Sequence, residues 1–355
     1  MKRIILYLCL CFGFFTSSAQ EDILLKDYRP KAIHNVQKTE VTKAKFAAID
    51  VHSHPYAAND EEIGQWVKTM DARGIEKTII LTYQTGKKFD SIYKAYSKYG
   101  DRFEIWCGFD YTGYGEKGYV KKAIKELERC FKVGAKGVGE LGDKGLGMAN
   151  SGPTPAPSMH FNDERIQPLL KRCGELGMPV NIHVAEPIWM YEPIDVHNDG
   201  LMNAATWKID TANPNVLSHA ELLKTLEEAV ANNPGTTFIA CHYANCGYDL
   251  NILGKMFDQY SNLYADISAR YAEVAPVPRA TSTFFKKYQD RLLYGTDMGM
   301  DGAMYQTTFR ILETADEHFY DHELFSYHWA LNGLDLDDET LRKVYSDNAR
   351  KILNK

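Results

Sequence analysis

The sequence has no excess of positive charge and little apolar material that could span a membrane. It carries 41 Lys+Arg against 47 Asp+Glu, a formal net charge of -6. Nucleic-acid binding through bulk electrostatics needs a basic surface instead. Beyond the amino-terminal segment, no apolar run is long enough to cross a bilayer. We therefore expect a small-molecule substrate, no nucleic-acid partner and no membrane anchor, and leave a homo-oligomer open.

The one long apolar run lies at the amino terminus and predicts a secretory signal peptide over residues 1–19. Lys2 and Arg3 precede an apolar stretch over residues 4–15, and a small-residue cleavage site ends at Ala19. The stretch is too short for an ordinary membrane-spanning helix. We expect cleavage near Ala19 and an exported protein, either periplasmic or extracellular.

The sequence also lacks a disulfide framework. Of the seven cysteines, Cys9 and Cys11 lie within the predicted signal peptide. The remaining five form an odd, scattered set, whereas disulfide-rich scaffolds carry even sets at regular spacing. We expect buried free thiols, with a pair between Cys241 and Cys246 as the open alternative.

What the sequence does contain is a regular alternation of short β-branched runs with longer segments of helical period. Eight such units predict an α/β fold, a (β/α)8 TIM barrel over residues 46–355 that follows an arm over residues 20–45. A doubly wound open sheet stays the alternative, since periodicity counts strands without showing closure. The predicted strands are 46–51, 77–82, 103–109, 135–141, 179–183, 236–241, 263–267 and 292–295, and helical stretches include 61–74, 117–133, 163–177, 220–233 and 248–259.

Two long loops interrupt this alternation, over residues 142–162 and 185–219. They follow the fourth and fifth predicted strands. In barrels of this kind the loops after the strands build the active site. We therefore expect both loops to border a site at the carboxyl ends of the strands.

The clearest chemical signal is the pair His52 and His54 near the end of the first predicted strand. Residues two apart on a strand point the same way, so both imidazoles can bind one metal ion. Two histidines at this spacing also arise by chance, but three more strand ends carry metal-binding side chains. His183 and His242 end the fifth and sixth predicted strands, and Asp297 follows the eighth. Core packing does not explain this set, because charged Asp is rarely buried without a partner.

The His-Ser-His segment at 52–54 and the Gly-Thr-Asp segment at 295–297, with His183 and His242 between them, resemble the amidohydrolase superfamily. The nearest resemblance is to its amidohydrolase-related branch, amidohydrolase family 2, and it covers roughly residues 46–355. It implies a barrel with one or two divalent metal ions and a metal-activated water. Members of the family hydrolyse amides, lactones and esters, and others are non-oxidative decarboxylases.

The resemblance also assigns roles to residues of this chain. Asp297 is both a metal ligand and the catalytic group that accepts the proton from water. His242 is a catalytic base or electrophile beside a single ion, or a ligand of a second one. The ligand set of three imidazoles and one carboxylate suits Zn²⁺ or another divalent ion, and consists of His52, His54, His183 and Asp297.

Glu140 has more than one interpretation. It lies near the carboxyl end of the fourth predicted strand, in Val138-Gly139-Glu140-Leu141. Family members with two metal ions often use a carboxylated lysine on this strand, and related metal-dependent nucleases use a glutamate. Glu140 is therefore a candidate bridging ligand, a carboxylate that acts behind the ligands, or a member of a loop salt bridge.

Three residues are candidates for substrate binding. Arg270 follows the seventh predicted strand and could clamp a carboxylate through two hydrogen bonds. Trp189 and Tyr191 could form an apolar wall over the metal. For the arginine the alternative is a surface ion pair, and for the two aromatic residues it is simple packing.

These observations predict a secreted metal-dependent hydrolase that cleaves an amide, ester or lactone bond of a small molecule. The alternative is a non-oxidative decarboxylase of an aromatic or unsaturated acid, which would use the same ligands. A phosphodiesterase or nuclease is disfavoured by the acidic charge. A non-catalytic binding protein is disfavoured because every expected ligand is present.

Overall fold

The computed structural model describes residues 23–149, 152 and 154–353, so the predicted signal peptide lies outside the described residues. All eight predicted strands are present. Two of them, β1 and β4, extend two residues further toward their carboxyl ends than predicted, because the backbone there still pairs with the neighbouring strand although the residues are not apolar. The strands are β1 (Ala48–Ser53), β2 (Ile75–Leu81), β3 (Phe103–Trp106), β4 (Val138–Asp143), β5 (Val180–Val184), β6 (Phe238–Ala240), β7 (Leu263–Asp266) and β8 (Leu292–Leu293).

Backbone hydrogen bonds join these strands into a barrel. The order β1-β2-β3 forms one parallel sheet and β4-β5-β6-β7-β8 another. A parallel bridge between Cys107 and Val138 connects β3 to β4. At the other seam, the amide of Val51 donates to the carbonyl of Tyr294 over 2.9 Å. Since β1 pairs both with β2 and with the chain after β8, the predicted (β/α)8 barrel is confirmed and the open sheet is excluded.

Helices pack around the strands, and glycines follow the ends of three of them. Gly74, Gly134 and Gly177 all have positive φ, which glycine adopts without steric cost. The helices are α1 (Asp60–Arg73), α2 (Gly86–Tyr96), α3 (Tyr119–Val133), α4 (Gln167–Glu175), α5 (Leu201–Trp207), α6 (His219–Asn232), α7 (Leu250–Gln259), α8 (Tyr271–Val274), α9 (Pro278–Lys287), α10 (Gly302–Glu313), α11 (Asp338–Arg342) and α12 (Asn348–Leu353).

The core has two parts. The larger cluster joins the outward faces of the strands to the helices. The smaller one consists of strand side chains and α12, as expected for the interior of the barrel, and includes Ile49, Ile79, Trp106, Ile239 and Leu293. Five buried cysteines, including Cys241 and Cys246, are free thiols, as the scattered spacing predicted.

Three excursions of the chain cover the carboxyl ends of the strands. The loop after β4 carries a two-residue hairpin, Gly147–Met148 with Ala156–Pro157. The loop after β5 carries a short turn, Ile188–Met190, and α5. The third, over residues 314–337, follows α10 and was not predicted from the sequence. It is pinned by a bridge between Phe319 and Leu331.

The described part of the arm, residues 23–45, packs against this third excursion. Thr39 donates to Asp316 through both its amide and its hydroxyl, each over 2.7 Å. An imidazole nitrogen of His322 lies 3.0 Å from the carbonyl oxygen of Pro30. Within the described residues, no helix has the length and apolar character that crossing a membrane requires.

Candidate active site

Six ionisable side chains from five strand ends meet at the carboxyl end of the barrel. The strand ends are those of β1, β4, β5, β6 and β8, which lie far apart in sequence and adjacent in the closed barrel. The side chains include all the ligands and catalytic groups predicted from the sequence: His52, His54, Glu140, His183, His242 and Asp297.

Backbone carbonyls orient two of the imidazoles. The Nδ1 atom of His54 lies 2.8 Å from the carbonyl oxygen of Leu81, at the end of β2. The Nδ1 atom of His242 lies 2.9 Å from the carbonyl oxygen of Ser268. A carbonyl oxygen only accepts, so each Nδ1 carries the proton and each Nε2 presents a lone pair to the centre.

A buried carboxylate orients His52 in the same way. Its Nδ1 atom lies 2.9 Å from Oδ2 of Asp266, the last residue of β7. The amide nitrogen of Asn181 also donates to that carboxylate, and the thiol of Cys241 donates to Asn181 over 2.8 Å. Metal-binding histidines are commonly held by such a carboxylate, which fixes the ring and raises its basicity.

Glu140 lies among all four imidazoles. Its Oε1 atom is 2.6 Å from Nδ1 of His183 and 3.4 Å from Nε2 of His242. Its Oε2 atom is 3.4 Å from Nε2 of His54. The contacts of Glu140 thus belong to the cluster, and its role as bridging ligand or supporting carboxylate stays a prediction.

Asp297 closes the cluster from the opposite side of the barrel. Its Oδ1 atom lies 3.2 Å from Nε2 of His54 and 3.7 Å from Nε2 of His52. The hydroxyl of Tyr56 lies 2.5 Å from the carbonyl oxygen of Asp297 and 3.0 Å from the same Oδ1 atom. This carboxylate therefore faces two imidazole nitrogens and is held in place from outside the cluster.

The charges of the cluster favour a cation at its centre. Burial opposes ionisation of Glu140, but its histidine neighbours hold its pKa well below the usual range. In the same way, the neighbouring imidazoles lower the pKa of Asp297 to about 2. Burial acts against protonation of His183, yet the carboxylates around it raise its pKa to about 9. Burial dominates at His242 and lowers its pKa, which keeps this imidazole neutral.

The donor set fits a divalent metal ion. Imidazole nitrogens and carboxylate oxygens are ligands for Zn²⁺ and for other divalent transition ions. The Nε2 atoms of His52 and His183 are buried and have no hydrogen-bond partner among the described residues. Unpaired buried polar atoms are costly, and an ion bound at the centre would satisfy Nε2 of His52. The Nε2 atom of His183 lies 3.6 Å from Oε1 of Glu186.

The cluster opens into a cavity of about 350 Å³. Its polar wall contains Lys144, Glu186, Arg270 and Glu273, which the sequence analysis did not single out except for Arg270. Lys144, Glu186 and Arg270 lie in the loops after β4, β5 and β7, and Glu273 lies in α8. No local motif identifies Lys144, Glu186 or Glu273. The opposite wall is apolar and includes Met298, Met304, Leu324 and Phe325.

The three predicted substrate-binding residues differ in whether they line the cavity. Arg270 lines the cavity. The structure does not place Trp189 and Tyr191 over the centre. The turn Ile188–Met190 directs Met190 into the cavity, so its neighbours point away: Trp189 packs against Trp329, and Tyr191 against His219.

Asp266 is the main residue of the centre that the sequence analysis missed. It is fully buried and ends β7, a strand that is otherwise apolar or aromatic. A charged residue in such a strand is itself a signal of a functional partner. That signal marks Asp266 as the group that positions His52.

Comparison with known proteins agrees with the fold. The family model described as amidohydrolase matches residues 116–355, so the chain belongs to the amidohydrolase-related family, amidohydrolase family 2. Members of this family are divalent-metal-dependent enzymes, and this chain is accordingly an enzyme with a metal-binding site. No curated protein sequence matches it.

Several solved structures share the fold at low sequence identity. The 2,6-dihydroxybenzoate decarboxylase from Rhizobium has a TM-score of 0.52 and 16% identity, over 87% of this chain and 99% of that one. The 5-carboxyvanillate decarboxylase from Novosphingobium aromaticivorans, solved with manganese, has a TM-score of 0.52 and 15% identity, over 90% and 100%. The 4-oxalomesaconate hydratase from Rhodopseudomonas palustris has a TM-score of 0.52 and 16% identity, over 86% and 95%.

Proposed function

We propose that the protein is a metal-dependent hydrolase that cleaves an amide, ester or lactone bond of a small molecule. One observation carries the proposal: a cluster of four imidazoles and two carboxylates adjoins a cavity large enough for a small substrate, and His183, His242 and Asp297 of this cluster line it. An attacking water and a substrate carbonyl could both lie within reach of Asp297 and His242, which line that cavity.

In this proposal His52, His54, His183 and Asp297 hold the ion, with Glu140 as a further ligand when two ions bind. When bound, a divalent ion polarises the substrate carbonyl and makes water more acidic. Zinc suits the imidazole-rich set. The manganese in the Novosphingobium structure supports a wider range of divalent ions.

The side chains would then divide the proton transfers. The carboxylate of Asp297 is ionised, because imidazoles hold its pKa at about 2, and it accepts the proton of the attacking water. The hydroxyl of Tyr56 keeps that carboxylate aimed into the cavity. The neutral imidazole of His242 presents its Nε2 lone pair to the cavity, where it can take up a proton and pass it to the leaving group.

Decarboxylation of an aromatic or unsaturated acid is the second candidate. Its support is that two structures with this fold are decarboxylases by name. The same centre would hold the acid, with Arg270 as the residue that binds its carboxylate. The close pairing of Arg270 with two glutamates favours the hydrolase.

A product screen separates the two reactions. Zinc-loaded protein is offered lactones, esters and amides in one series and aromatic acids in another, with the His242→Asn variant as control. The proposal expects ring opening or bond cleavage that the variant loses, and no release of CO₂. Release of CO₂ from an aromatic acid without hydrolysis would replace the first proposal by the second.

We also propose that the protein is exported and acts in the periplasm or outside the cell. The charged start, apolar stretch and small-residue site over residues 1–19 support this. Sequencing of the amino terminus after expression with the full leader tests it. A mature chain that begins at Gln20 is expected, and a chain that keeps Met1 to Ala19 would contradict it.

A further inference from the structure

Both cations that line the cavity already have carboxylate partners from the chain itself. The ammonium group of Lys144 contacts Oε1 of Glu186. The guanidinium of Arg270 lies 3.3 Å from Oε2 of Glu186 and 3.2 Å from Oε1 of Glu273. Glu186 thus bridges the two cations, and Glu273 pairs with the second one from behind.

The two glutamates and Arg270 are buried, whereas the side chain of Lys144 is 37% exposed. The side chains of Glu186 and Glu273 are 7% and 2% exposed, and that of Arg270 is 13% exposed. The hydroxyl of Tyr327 donates to Glu273 over 2.8 Å and fixes it. Ion pairs away from water are screened much less than surface pairs. Above the pKa of Glu273, which burial raises to about 7, the charge of Arg270 is therefore offset where it lies.

No unpaired lysine or arginine is left for a substrate. Within the described part of the chain, Lys144 and Arg270 are the only lysine and arginine that line this cavity. Where the centre holds one divalent ion, the charges of Asp297 at the edge of the cavity and of Glu140 behind it balance that ion. A carboxylate that entered would therefore bring an uncompensated negative charge into a buried site, which is costly.

We propose that the cavity selects an uncharged carbonyl substrate with an apolar substituent, and that Glu186 is the residue that sets this preference. The inference rests on the proposed hydrolase function and names its substrate class. The apolar side of the cavity contains Met298, Met304 and Phe325, which suit an apolar group beside the reacting bond. Glu186 fills the place between two cations where a substrate carboxylate would otherwise bind.

The test compares two ligands of nearly equal shape, benzoate and benzamide, on the zinc-loaded full-length protein. Calorimetry at pH 8, where Glu273 is ionised, gives the affinity of each for the wild type and for the Glu186→Gln and Glu273→Gln variants. Glu192→Gln is the matched control, because Glu192 lines a different cavity. Zinc per chain is measured by mass spectrometry on every sample, so a change at the metal centre is not mistaken for a change in charge selection.

We expect the wild type to bind benzamide at least as tightly as benzoate. Glu186→Gln should tighten benzoate binding about tenfold, the effect of one charged hydrogen bond, without tightening benzamide. Glu273→Gln should act in the same direction, and Glu192→Gln should change neither affinity. If Glu186→Gln loses zinc, the inference is judged from the benzoate and benzamide affinities of Glu273→Gln instead.

A wild type that prefers benzoate by tenfold or more would overturn the inference. So would an unchanged ratio of the two affinities in the glutamine variants that keep zinc. Neither result bears on hydrolysis itself, which is read from the product screen. Failure of the charge selection and failure of the proposed function are therefore distinguishable.

Discussion

The floor and the wall of the cavity are built in different ways. The floor consists of side chains at strand ends, such as His54 and His242, which backbone carbonyls of neighbouring strands hold. The wall consists of loop side chains, such as Lys144 and Glu186, which hold one another. A rigid floor suits the metal chemistry that the family shares, whereas loops can change without disturbing the barrel. The comparison predicts that substitutions in the floor abolish turnover and that substitutions in the wall change selection.

The largest effect is expected at Asp297, in the floor. In the proposed mechanism, replacing it with asparagine removes a carboxylate ligand of the metal and the group that accepts the proton from water. General-base removal alone costs about 10²–10⁴-fold in kcat. Steady-state kinetics on samples of known zinc content measure the loss. A variant within tenfold of the wild type would show that the floor is not the catalytic part.

The wall contains a glutamate whose ionisation burial opposes. Burial raises the pKa of Glu273 to about 7, although Arg270 acts in the other direction. A raised folded-state pKa contributes stability at low pH that is lost as pH rises from the ordinary value toward 7. Relative to Glu273→Gln, the wild type should lose about 3 kcal/mol of unfolding free energy across that window.

Urea unfolding of both proteins at pH 5 and pH 8 measures this difference. A gap between the two unfolding free energies that stays the same at both pH values would contradict the prediction. The floor carboxylates Glu140 and Asp297 have lowered pKa values, whereas the pKa of Glu273 in the wall is raised. An unchanged gap would remove this contrast between floor and wall.

A smaller effect is expected beneath the floor, at Asp266. Replacing it with asparagine weakens the hold on Nδ1 of His52, and the loss of such a supporting carboxylate typically costs about 10–100-fold in metal affinity. Asp249→Asn is the control, because Asp249 caps α7 and asparagine caps equally well. Zinc competition with a chelator measures the affinities. Equal losses in the two variants would refute a specific role for Asp266.

The smallest effect is expected at the apolar side of the wall. Leu324 is half-buried and reaches the cavity from the excursion over residues 314–337. Shortening it to alanine should raise KM for a substrate with an apolar substituent about three- to tenfold and leave kcat and zinc content nearly unchanged. A fall in kcat as large as the rise in KM would show that Leu324 affects catalysis, as the floor residues do.

The same contrast explains what the sequence could predict. Periodicity identified all eight strands, and ligand chemistry at their ends identified the six residues of the centre, because strand order fixes where these ends meet. Asp266 was not predicted, although the sequence shows a charged residue at the end of the apolar strand β7. The residues of the wall were harder to predict from the sequence, since Lys144 and Glu186 become partners only through loop geometry that no local pattern encodes. Trp189 was misplaced for the same reason, because a single turn decides which of its residues faces the cavity.

The central claim is that this floor activates water to attack a substrate carbonyl. It is tested most directly by turnover of a lactone or ester from the product screen in water enriched with heavy oxygen, with and without a chelator. Mass spectrometry of the product acid should find one heavy oxygen atom per turnover and none after chelation. Turnover with no oxygen uptake, or uptake that is unchanged after the metal is removed, would contradict the claim.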